Sequence, residues 1–535
     1  MRYLGLLDLA GIQDTIERES ELSKIRSVSN NIEDLTRRDE SPGACGLFRR
    51  VIADCGATLL IAAGGNASFW ADSAETVQSV LRGVSLEMEK RAEGLEVVGA
   101  IRAFEENTLA IEYRKGLREL ERRKLTQGRS TRFTFAGLEP FRPAAVGTEE
   151  NDEPPEGQPS RGDSALIEPK DFDDVIARGF RLPPSPGGTA HPSALAPETL
   201  GREVLERTGL MAVVSMDGLD MGVRLNQWLL KMEKERPPDH VFGEKFEAWS
   251  DSVRCRWDHA WQQSCDELEA AFGPDRILRH AFRPELCLKP MFAPFARIYQ
   301  GGDDLRFVCD ARIALALTSS MMRSLECAGV GADVDPIFEG LTASAGIVFV
   351  DSHFPFSRAS RIADNIRKNA KKQVLEAEPS ASPTPSCMDW WLNRQGSMEE
   401  EERTTRRAAR PLQTRDVPYE VAWDCLARYV LPNLWEMFAG RHNKLKDLLS
   451  AAEEGPGAVR RLLSLRPLAE YRDLSPCTPP RYEPLTGFNP DGNKTFLRDA
   501  AELYDLHFPF GELARKATAW PEIASNEEEQ TCSSH

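Results

Sequence analysis

The first hundred residues alternate between short apolar runs and longer stretches with helical spacing. The apolar runs predict four strands, at Tyr3–Leu9, Ala57–Ala63, Ala67–Trp70 and Leu95–Ile101. Residues 11–38 favour a helix. After the third strand, Asp72 and Glu75 resemble a capping box. The helical face that follows consists of Val77, Val80, Leu81, Val84 and Met88. The order strand, helix, strand, strand, helix, strand predicts a ferredoxin-like domain over residues 1–140.

The same order returns after residue 205, interrupted by insertions. Three runs predict strands in an order like that of the first domain, and they occupy residues 211–216, 295–309 (a hairpin) and 344–350. Helical spacing favours helices at residues 221–234, 243–271, 311–326 and 358–373. The pattern predicts a second ferredoxin-like domain over residues 206–375, with helical insertions.

The remaining segments differ in composition. Residues 141–205 are rich in Pro, Gly and Glu, which predicts a flexible linker because such a stretch buries little apolar surface. A shorter linker is expected at 376–386. Residues 387–520 predict a helical C-terminal domain with a kink at Pro432, and 521–535 predict a disordered tail. The expected fold class is α+β.

Charge and cysteine content narrow the functional classes. The chain has 535 residues and a formal charge of −17, whereas a free-standing nucleic-acid binder is more often basic. Basic groups at 114–132 and 403–410 either face phosphate or form exposed charged surfaces. The 11 cysteines include no Cys-x-x-Cys pair, which argues against a structural zinc site and a disulfide framework. No apolar run is long enough to span a bilayer, and Asp8 interrupts the first apolar run, so we expect a cytoplasmic protein without a membrane partner.

The strongest candidate for a functional site in the sequence is Gly301-Gly302-Asp303-Asp304, which lies between two apolar runs. A glycine pair between such runs predicts a hairpin tip. Two adjacent carboxylates there form either a solvated acidic turn or a site for Mg²⁺ or Mn²⁺. Asp217 ends the strand predicted at 211–216. A strand-end carboxylate facing hairpin carboxylates is a minimal holder for two divalent ions in phosphoryl transfer, so Asp217, Asp303 and Asp304 are candidate catalytic and metal-binding residues.

Several motifs, in this order, resemble the large subunit of type III CRISPR effector complexes, a polymerase family with two palm domains. They are Asp8-Leu9-Ala10-Gly11, Ala63-Gly64-Gly65-Asn66, Asp217-Gly218-Leu219-Asp220, Tyr299 to Leu305, Ser344-Ala345-Gly346-Ile347, Ala370-Lys371, Cys387-Met388-Asp389-Trp390-Trp391 and Arg410-Pro411. The resemblance covers roughly residues 1–140 and 200–440. It implies that the two ferredoxin-like domains are palm domains.

The resemblance implies a function. Members bind two ATP molecules between paired palms and join them into cyclic oligoadenylates, a second messenger of antiviral defence. Asp217 and Asp303 would then hold metal, with Asp304 beside them. The residues implied at nucleotide sites are Gly301, Gly302, Ser344 and Lys371 in the second palm, where Lys371 would meet a triphosphate, and Gly64, Gly65, Asn66 and Ser68 in the first. The implied partners are other subunits of the ribonucleoprotein, with guide and target RNA reached mainly through that complex.

Three departures from the family leave alternatives open. Leu219 stands where the family often has an acidic residue, although Asp220 follows it. No His-Asp dipeptide and no zinc-binding cysteines occur, and no domain precedes the first palm, so we expect a reduced form without the nuclease domain. One alternative is a catalytically silent scaffold of a guide-RNA complex. Another is a diguanylate-cyclase-like enzyme, although that family has Glu-Phe where this chain has Asp304-Leu305.

Overall fold

The computed structural model describes most of the two predicted domains and part of the C-terminal region. The described residues are 1–10, 12, 35, 46–63, 65–91, 95–126, 193–194, 210–274, 277–280, 283–287, 292–327, 340–351, 354–377, 384–392, 426–438, 442–465, 474, 482–488 and 495–511. The predicted helix at 11–38, the linker at 141–205 and the tail at 521–535 lie largely or wholly outside them. The chain divides into two compact units, Met1–Arg181 with Gly222–Asp251, and Leu182–Met221 with Ser252–His535.

The first unit contains a four-stranded antiparallel sheet. Its strands are β1 (Arg2–Ala10), β2 (Thr58–Ala63), β3 (Asn66–Ala71) and β4 (Glu96–Phe104). They lie in the order β2-β3-β1-β4, which is the ferredoxin-like arrangement predicted for this segment. Its helices are α1 (Leu47–Asp54), α2 (Ala74–Arg91) and α3 (Leu109–Thr126). The predicted capping box is wrong in detail, because Ser73 directly precedes α2 and its Oγ accepts from the Thr76 amide at 3.1 Å.

An insertion that follows the first strand of the second palm belongs largely to the first unit. It consists of α4 (Met221–Glu235) and α5 (Asp239–Phe272), and residues 222–251 fall in the first unit. Trp228 and Phe246 stack with ring centroids 5.5 Å apart, and Tyr113 of α3 meets Phe246 at 5.0 Å. We expected this insertion within the second ferredoxin-like domain. Phe242 and Phe246 of α5, however, are buried and contact Tyr113 of α3.

The second unit contains a five-stranded sheet with β6 at its centre. Its strands are β6 (Leu210–Gly218), β10 (Phe295–Gly301), β11 (Asp304–Asp310), β12 (Ala343–Asp351) and β13 (Cys387–Leu392). Four short strands lie outside this sheet, namely β5 (Ser193–Ala194), β7 (Ile277–His280), β8 (Arg283–Cys287) and β9 (Phe292–Ala293). The strand order is β10-β11-β6-β12-β13. Helices α6 (Ala314–Cys327) and α7 (Phe356–Ala377) cover the sheet. Both faces of the central strand are covered, because Met211–Met216 is buried throughout.

Two sequence predictions near the end of the second ferredoxin-like domain are wrong. Strand β13 pairs in parallel with β12, although the sequence analysis placed Cys387–Leu392 in the helical C-terminal domain. Helix α7 also continues to Ala377, into the predicted linker at 376–386. Cys387–Trp390 is buried on both faces, so this apolar run has no alternation to mark it as a strand.

Beyond β13, the described part of the C-terminal region is mainly helical. A π-helical turn at Leu426–Val430 leads into α8 (Leu431–Phe438), and α9 (His442–Glu454), α10 (Pro456–Leu463) and α11 (Leu497–Leu503) follow. The change from π to α geometry falls just before Pro432, whose ring removes a backbone donor. Across the described segments, no helix is both apolar enough and long enough to cross a bilayer.

Candidate functional site

The three candidate carboxylates meet at one end of the second sheet. Strands β6 and β11 pair so that Asp217 lies opposite Asp304. The Gly218 amide donates to the Asp303 carbonyl at 3.1 Å, and a Cβ on Gly218 would lie 2.9 Å from Asp303 Oδ2. The absence of a side chain at Gly218 therefore lets the Asp303 carboxylate lie beside Asp217.

The two glycines of the hairpin have different roles. Gly302 has a φ of 65°, and a Cβ there would meet no atom within 4 Å, so this glycine makes the turn and leaves the backbone open. At Gly301 a Cβ would lie 1.8 Å from the Tyr299 hydroxyl oxygen. The space beside Gly301 is therefore filled by the Tyr299 side chain, and Gly302 is the glycine that a ligand can approach.

Crowding of the carboxylates changes their proton affinity. Burial and the neighbouring charge of Asp217 raise the pKa of Asp303 to about 6, against smaller lowering effects of Lys371 and Arg367. Burial and the charges of Asp217 and Asp303 also raise the pKa of Asp304. The site therefore holds more negative charge than its surroundings compensate.

Two cations from α7 lie against Asp217. Arg367 Nη1 is 2.5 Å and Lys371 Nζ is 3.0 Å from Asp217 Oδ2. Helix α7 reaches the sheet because β12 has a glycine at position 346, where a Cβ would lie 2.1 Å from the Ala363 carbonyl oxygen. The sequence analysis named Lys371 and missed Arg367, although the two are four residues apart and so share a helical face.

The Asp364 carboxylate fixes the position of the Arg367 guanidinium. Its Oδ1 accepts from Arg367 Nη2 at 2.9 Å and Nε at 3.2 Å, and also from the Ser215 hydroxyl at 3.1 Å. Lys368 and Arg306 lie 2.9 and 3.5 Å from the same carboxylate. Burial alone would raise the pKa of Asp364, but these cations and hydrogen bonds lower it to about 2. Arg367 is therefore a fixed part of a buried ionic network.

The two residues after Gly218 point away from the carboxylates. Leu219 is fully buried in a cluster with Ala370, Val374 and Cys387. The Asp220 carboxylate accepts from the Thr384 amide at 3.2 Å, ahead of β13. An acidic side chain at position 219 would therefore enter the core, and the departure noted at Leu219 does not remove a carboxylate from this site.

Neither serine named as a nucleotide-binding candidate reaches solvent. Ser344 is 0% exposed, and its Oγ donates to the Asp217 carbonyl at 3.3 Å, which ties β12 to the strand end. Ser68 is 1% exposed and lies opposite Leu6 in the sheet. Both side chains can support their hairpins, and neither is placed to touch a ligand directly.

The first unit has a hairpin that corresponds to the β10–β11 hairpin but carries fewer carboxylates. Asp8 lies opposite Asn66, as Asp217 lies opposite Asp304, and the Leu9 amide donates to the Gly65 carbonyl at 3.0 Å. Lys124 of α3 forms an ion pair with Asp8. Asn66 is exposed, and Gly64 lies outside the described residues. The first hairpin thus keeps the aspartate–lysine pair but has Gly65 and Asn66 in place of the two hairpin carboxylates.

The donor set of the second unit suits a hard divalent cation, because all three side chains supply carboxylate oxygens. Among the residues that the structure describes, however, no group of three or more Asp, Glu, His or Cys side chains is arranged to hold a metal ion by itself. Oδ2 of Asp217 faces Arg367 and Lys371. The residues fit a metal in their chemistry, and a metal at Asp217 would share this carboxylate with the two cations.

Known proteins resemble this chain in both sequence and structure. Residues 210–376 match the family described as Cas10/Cmr2, second palm domain. No curated protein sequence matches the chain. The Csm1-Csm4 subcomplex in the type III-A CRISPR-Csm interference complex has 16% identity and a TM-score of 0.52, covering 94% of this chain and 70% of that one.

Two further solved structures were determined with ligands. The Csm1-Csm4 cassette in complex with cA4 has 15% identity and a TM-score of 0.53, covering 94% of this chain and 70% of that one. The cassette in complex with one ATP has 15% identity and a TM-score of 0.53, covering 96% and 70%. At this identity the likeness establishes the fold. Together with the match of residues 210–376 to the second palm domain of Cas10/Cmr2, it confirms the resemblance drawn from the motifs.

Proposed function

We propose that this chain is a nucleotidyltransferase that converts ATP to cyclic oligoadenylates within a type III CRISPR effector complex. The observation that carries the proposal is the meeting of Asp217, Asp303 and Asp304 at one sheet end of a Cas10/Cmr2 palm domain. Csm1, which shares the fold, has been solved with one ATP and with cA4. Those ligands support the same class of substrate and product here.

In the proposed reaction, the 3′ hydroxyl of one ATP attacks the α-phosphate of another and pyrophosphate leaves. Asp217, Asp303 and Asp304 would hold Mg²⁺ or Mn²⁺, which neutralises phosphate charge and lowers the pKa of the attacking hydroxyl when bound. Lys371 supplies an ammonium group at the edge of the site for the triphosphate. The open backbone at Gly302 admits the nucleotide, and Ser344 keeps the Asp217 strand end in place.

A second ATP would bind at the hairpin of the first unit, at Gly64, Gly65 and Asn66, with Ser68 as support beneath. The exposed Asn66 side chain offers a neutral hydrogen-bonding group there. Equilibrium dialysis with a labelled ATP analogue should give two sites per wild-type chain and one after Asn66→Arg. Two sites in the variant would contradict this assignment.

The proposal places the chain in a complex. Csm1 is joined to Csm4 in the solved structures, and by extension this chain would bind other subunits and reach guide and target RNA mainly through them. Copurification of the tagged chain with the subunits of a reconstituted type III complex tests this. Recovery of the chain alone would contradict it.

The test of activity is incubation of the assembled complex with labelled ATP and Mn²⁺, with and without target RNA, followed by mass spectrometry of the products. Asp303→Ala with Asp304→Ala should abolish the product and leave the fold intact by circular dichroism. Glu105→Ala with Glu106→Ala is the matched control, because it removes two adjacent exposed carboxylates from the first unit. Unchanged product from the Asp303/Asp304 variant would refute the assignment.

A catalytically silent scaffold is the second candidate. The observation that favours it is the pairing of Asp217 with Arg367 and Lys371, which occupies one oxygen of a candidate metal-binding carboxylate. ATP binding in the presence of Mg²⁺ separates the two functions. An assembled complex that binds no ATP would identify the chain as a scaffold.

A further inference from the structure

The two cations at Asp217 differ in how firmly they are held. The Arg367 side chain is 8% exposed, and Asp364 accepts two of its hydrogen bonds, at 2.9 and 3.2 Å. The Lys371 side chain is 33% exposed, and its Nζ donates to Asp217 Oδ2 at 3.0 Å and contacts the Gly218 carbonyl at 3.5 Å. Arg367 cannot leave without breaking the two hydrogen bonds that it donates to the buried Asp364. Lys371 has a flexible stem and a direct path to water.

A divalent cation and the Lys371 ammonium would compete for the same carboxylate, that of Asp217. We propose that Lys371 is a displaceable counter-ion of Asp217. It pairs with this carboxylate while no metal is bound, and it moves to the triphosphate when a nucleotide binds. Binding of the triphosphate thereby exposes Asp217 to metal, so the two ligands bind cooperatively. Arg367 stays in place and orients the Asp217 carboxylate. This inference rests on the proposed function of the site as a metal-dependent nucleotide centre.

The first unit supports the role of the lysine as a counter-ion. Lys124 pairs with Asp8 there, although Gly65 and Asn66 provide no carboxylates for a metal. Lys124 also contacts Glu121, at 3.0 Å. The aspartate–lysine pair is therefore stable in its own right at this position of the fold. In the second unit the same pair stands beside two further carboxylates, where a divalent cation can replace the ammonium.

Mn²⁺ binding to the nucleotide-free, full-length protein tests the proposal without any catalytic readout. The electron paramagnetic resonance signal of free Mn²⁺ gives the affinity. Lys371→Ala should bind Mn²⁺ about tenfold more tightly than wild type. Lys372→Ala is the matched control, because it removes the same charge from an exposed position one residue along α7, and its affinity should stay within about twofold of wild type. Adding Asp217→Asn to Lys371→Ala should abolish the gain.

The contact between Lys371 and the nucleotide is tested separately, through nucleotide affinity in the absence of metal. In EDTA, Lys371→Ala should bind AMPPNP more weakly than Lys372→Ala does. Equal Mn²⁺ affinities of the Lys371 and Lys372 variants would overturn the proposal, as would a gain that survives Asp217→Asn. If wild type makes no oligoadenylate but Lys371→Ala still gains Mn²⁺ affinity through Asp217, the proposed function fails and the counter-ion role stands. If wild type makes product and the gain is absent, only the counter-ion role fails.

Discussion

The crowded carboxylates predict that Asp303→Asn stabilises the metal-free protein. Burial and the charge of Asp217 raise the pKa of Asp303 to about 6, whereas a carboxyl group in an unfolded chain titrates near 3.8. Between these values the folded state binds the proton more tightly than the unfolded state. The stability of the wild-type second unit therefore falls as the pH rises from about 4 to about 6, and stays lower above that range. Asparagine keeps the shape of the side chain and removes the charge.

The size of the effect follows from the difference in pKa. A difference of about two units corresponds to about 3 kcal/mol at a pH above 6. The hydrogen bond that the ionised carboxylate accepts from its own backbone offsets part of this gain. We therefore expect Asp303→Asn to raise the free energy of unfolding by roughly 1–3 kcal/mol at pH 8 in EDTA, and by almost nothing at pH 4.

The assay must report on the second unit alone, because a chain of two units does not unfold in one step. Cys309 is fully buried in β11, five residues after Asp304. Urea titration with pulse labelling of this thiol by 4,4′-dithiodipyridine, which also reacts in acid, gives the free energy of opening at each pH. Exposed thiols such as Cys255 and Cys327 are blocked first.

Asp258→Asn is the matched control for Asp303→Asn. Asp258 is a half-exposed carboxylate that accepts from Arg297 and Gln300 at 3.1 Å beside the same hairpin. Removing it takes away one negative charge without relieving any crowding, so we expect no gain in stability. A gain for Asp303→Asn that is the same at pH 4 and pH 8, or the same as that for Asp258→Asn, would refute the reasoning.

Three other substitutions test the network around the site. Arg367→Met should lower the free energy of unfolding of the second unit by about 3–5 kcal/mol at neutral pH in the Cys309 assay, because it leaves Asp364 charged and buried without its main partner. Part of this loss should vanish as the pH falls from about 4 toward 2, where Asp364 becomes protonated. Leu219→Asp should cost roughly 3 kcal/mol or more in the same assay and should not tighten Mn²⁺ binding, since the new carboxylate would enter the core. Gly346→Ala should push α7 away from β12 and reduce oligoadenylate yield, because its Cβ would lie 2.1 Å from the Ala363 carbonyl oxygen; wild-type yield would contradict this.

Local sequence patterns predicted the parts of the fold that depend on neighbouring residues. Both hairpins, the buried strand before Asp217 and most helices lie where apolar spacing placed them. Strand β13 was missed because its pairing with β12 is parallel and links segments about 40 residues apart. A short run such as Cys387–Leu392, apolar except for Asp389, fits a buried strand or a buried helix equally well.

The residues of the candidate site that belong to a sequence motif were predicted. Those that are marked only by their position on a helix face were missed. Asp217, Asp303 and Asp304 stand in recognisable strand-end and hairpin contexts. Asp364 and Arg367 look like ordinary charges on an amphipathic helix. Their spacing of three residues, continued by Lys371 four residues later, does place them on one face, which is the available signal. Their burial against β6 depends on the glycine at position 346, whose role only the packing reveals.

The backbone of the two hairpins explains why only one carries both carboxylates. Gly301 pairs with Asp304 as Ala63 pairs with Asn66, so Asp303 and Gly65 hold the same position in their turns. In the second unit the positive φ falls on Gly302, which leaves position 303 free to carry a side chain. In the first unit Gly65 itself has a φ of 85°, and a Cβ there would lie 2.4 Å from Ile12 Cδ1. An aspartate at position 65 would strain the turn and collide with this side chain, so a single substitution cannot rebuild the second carboxylate in the first hairpin. The charge difference between the two hairpins is therefore set by turn geometry as well as by the residues themselves.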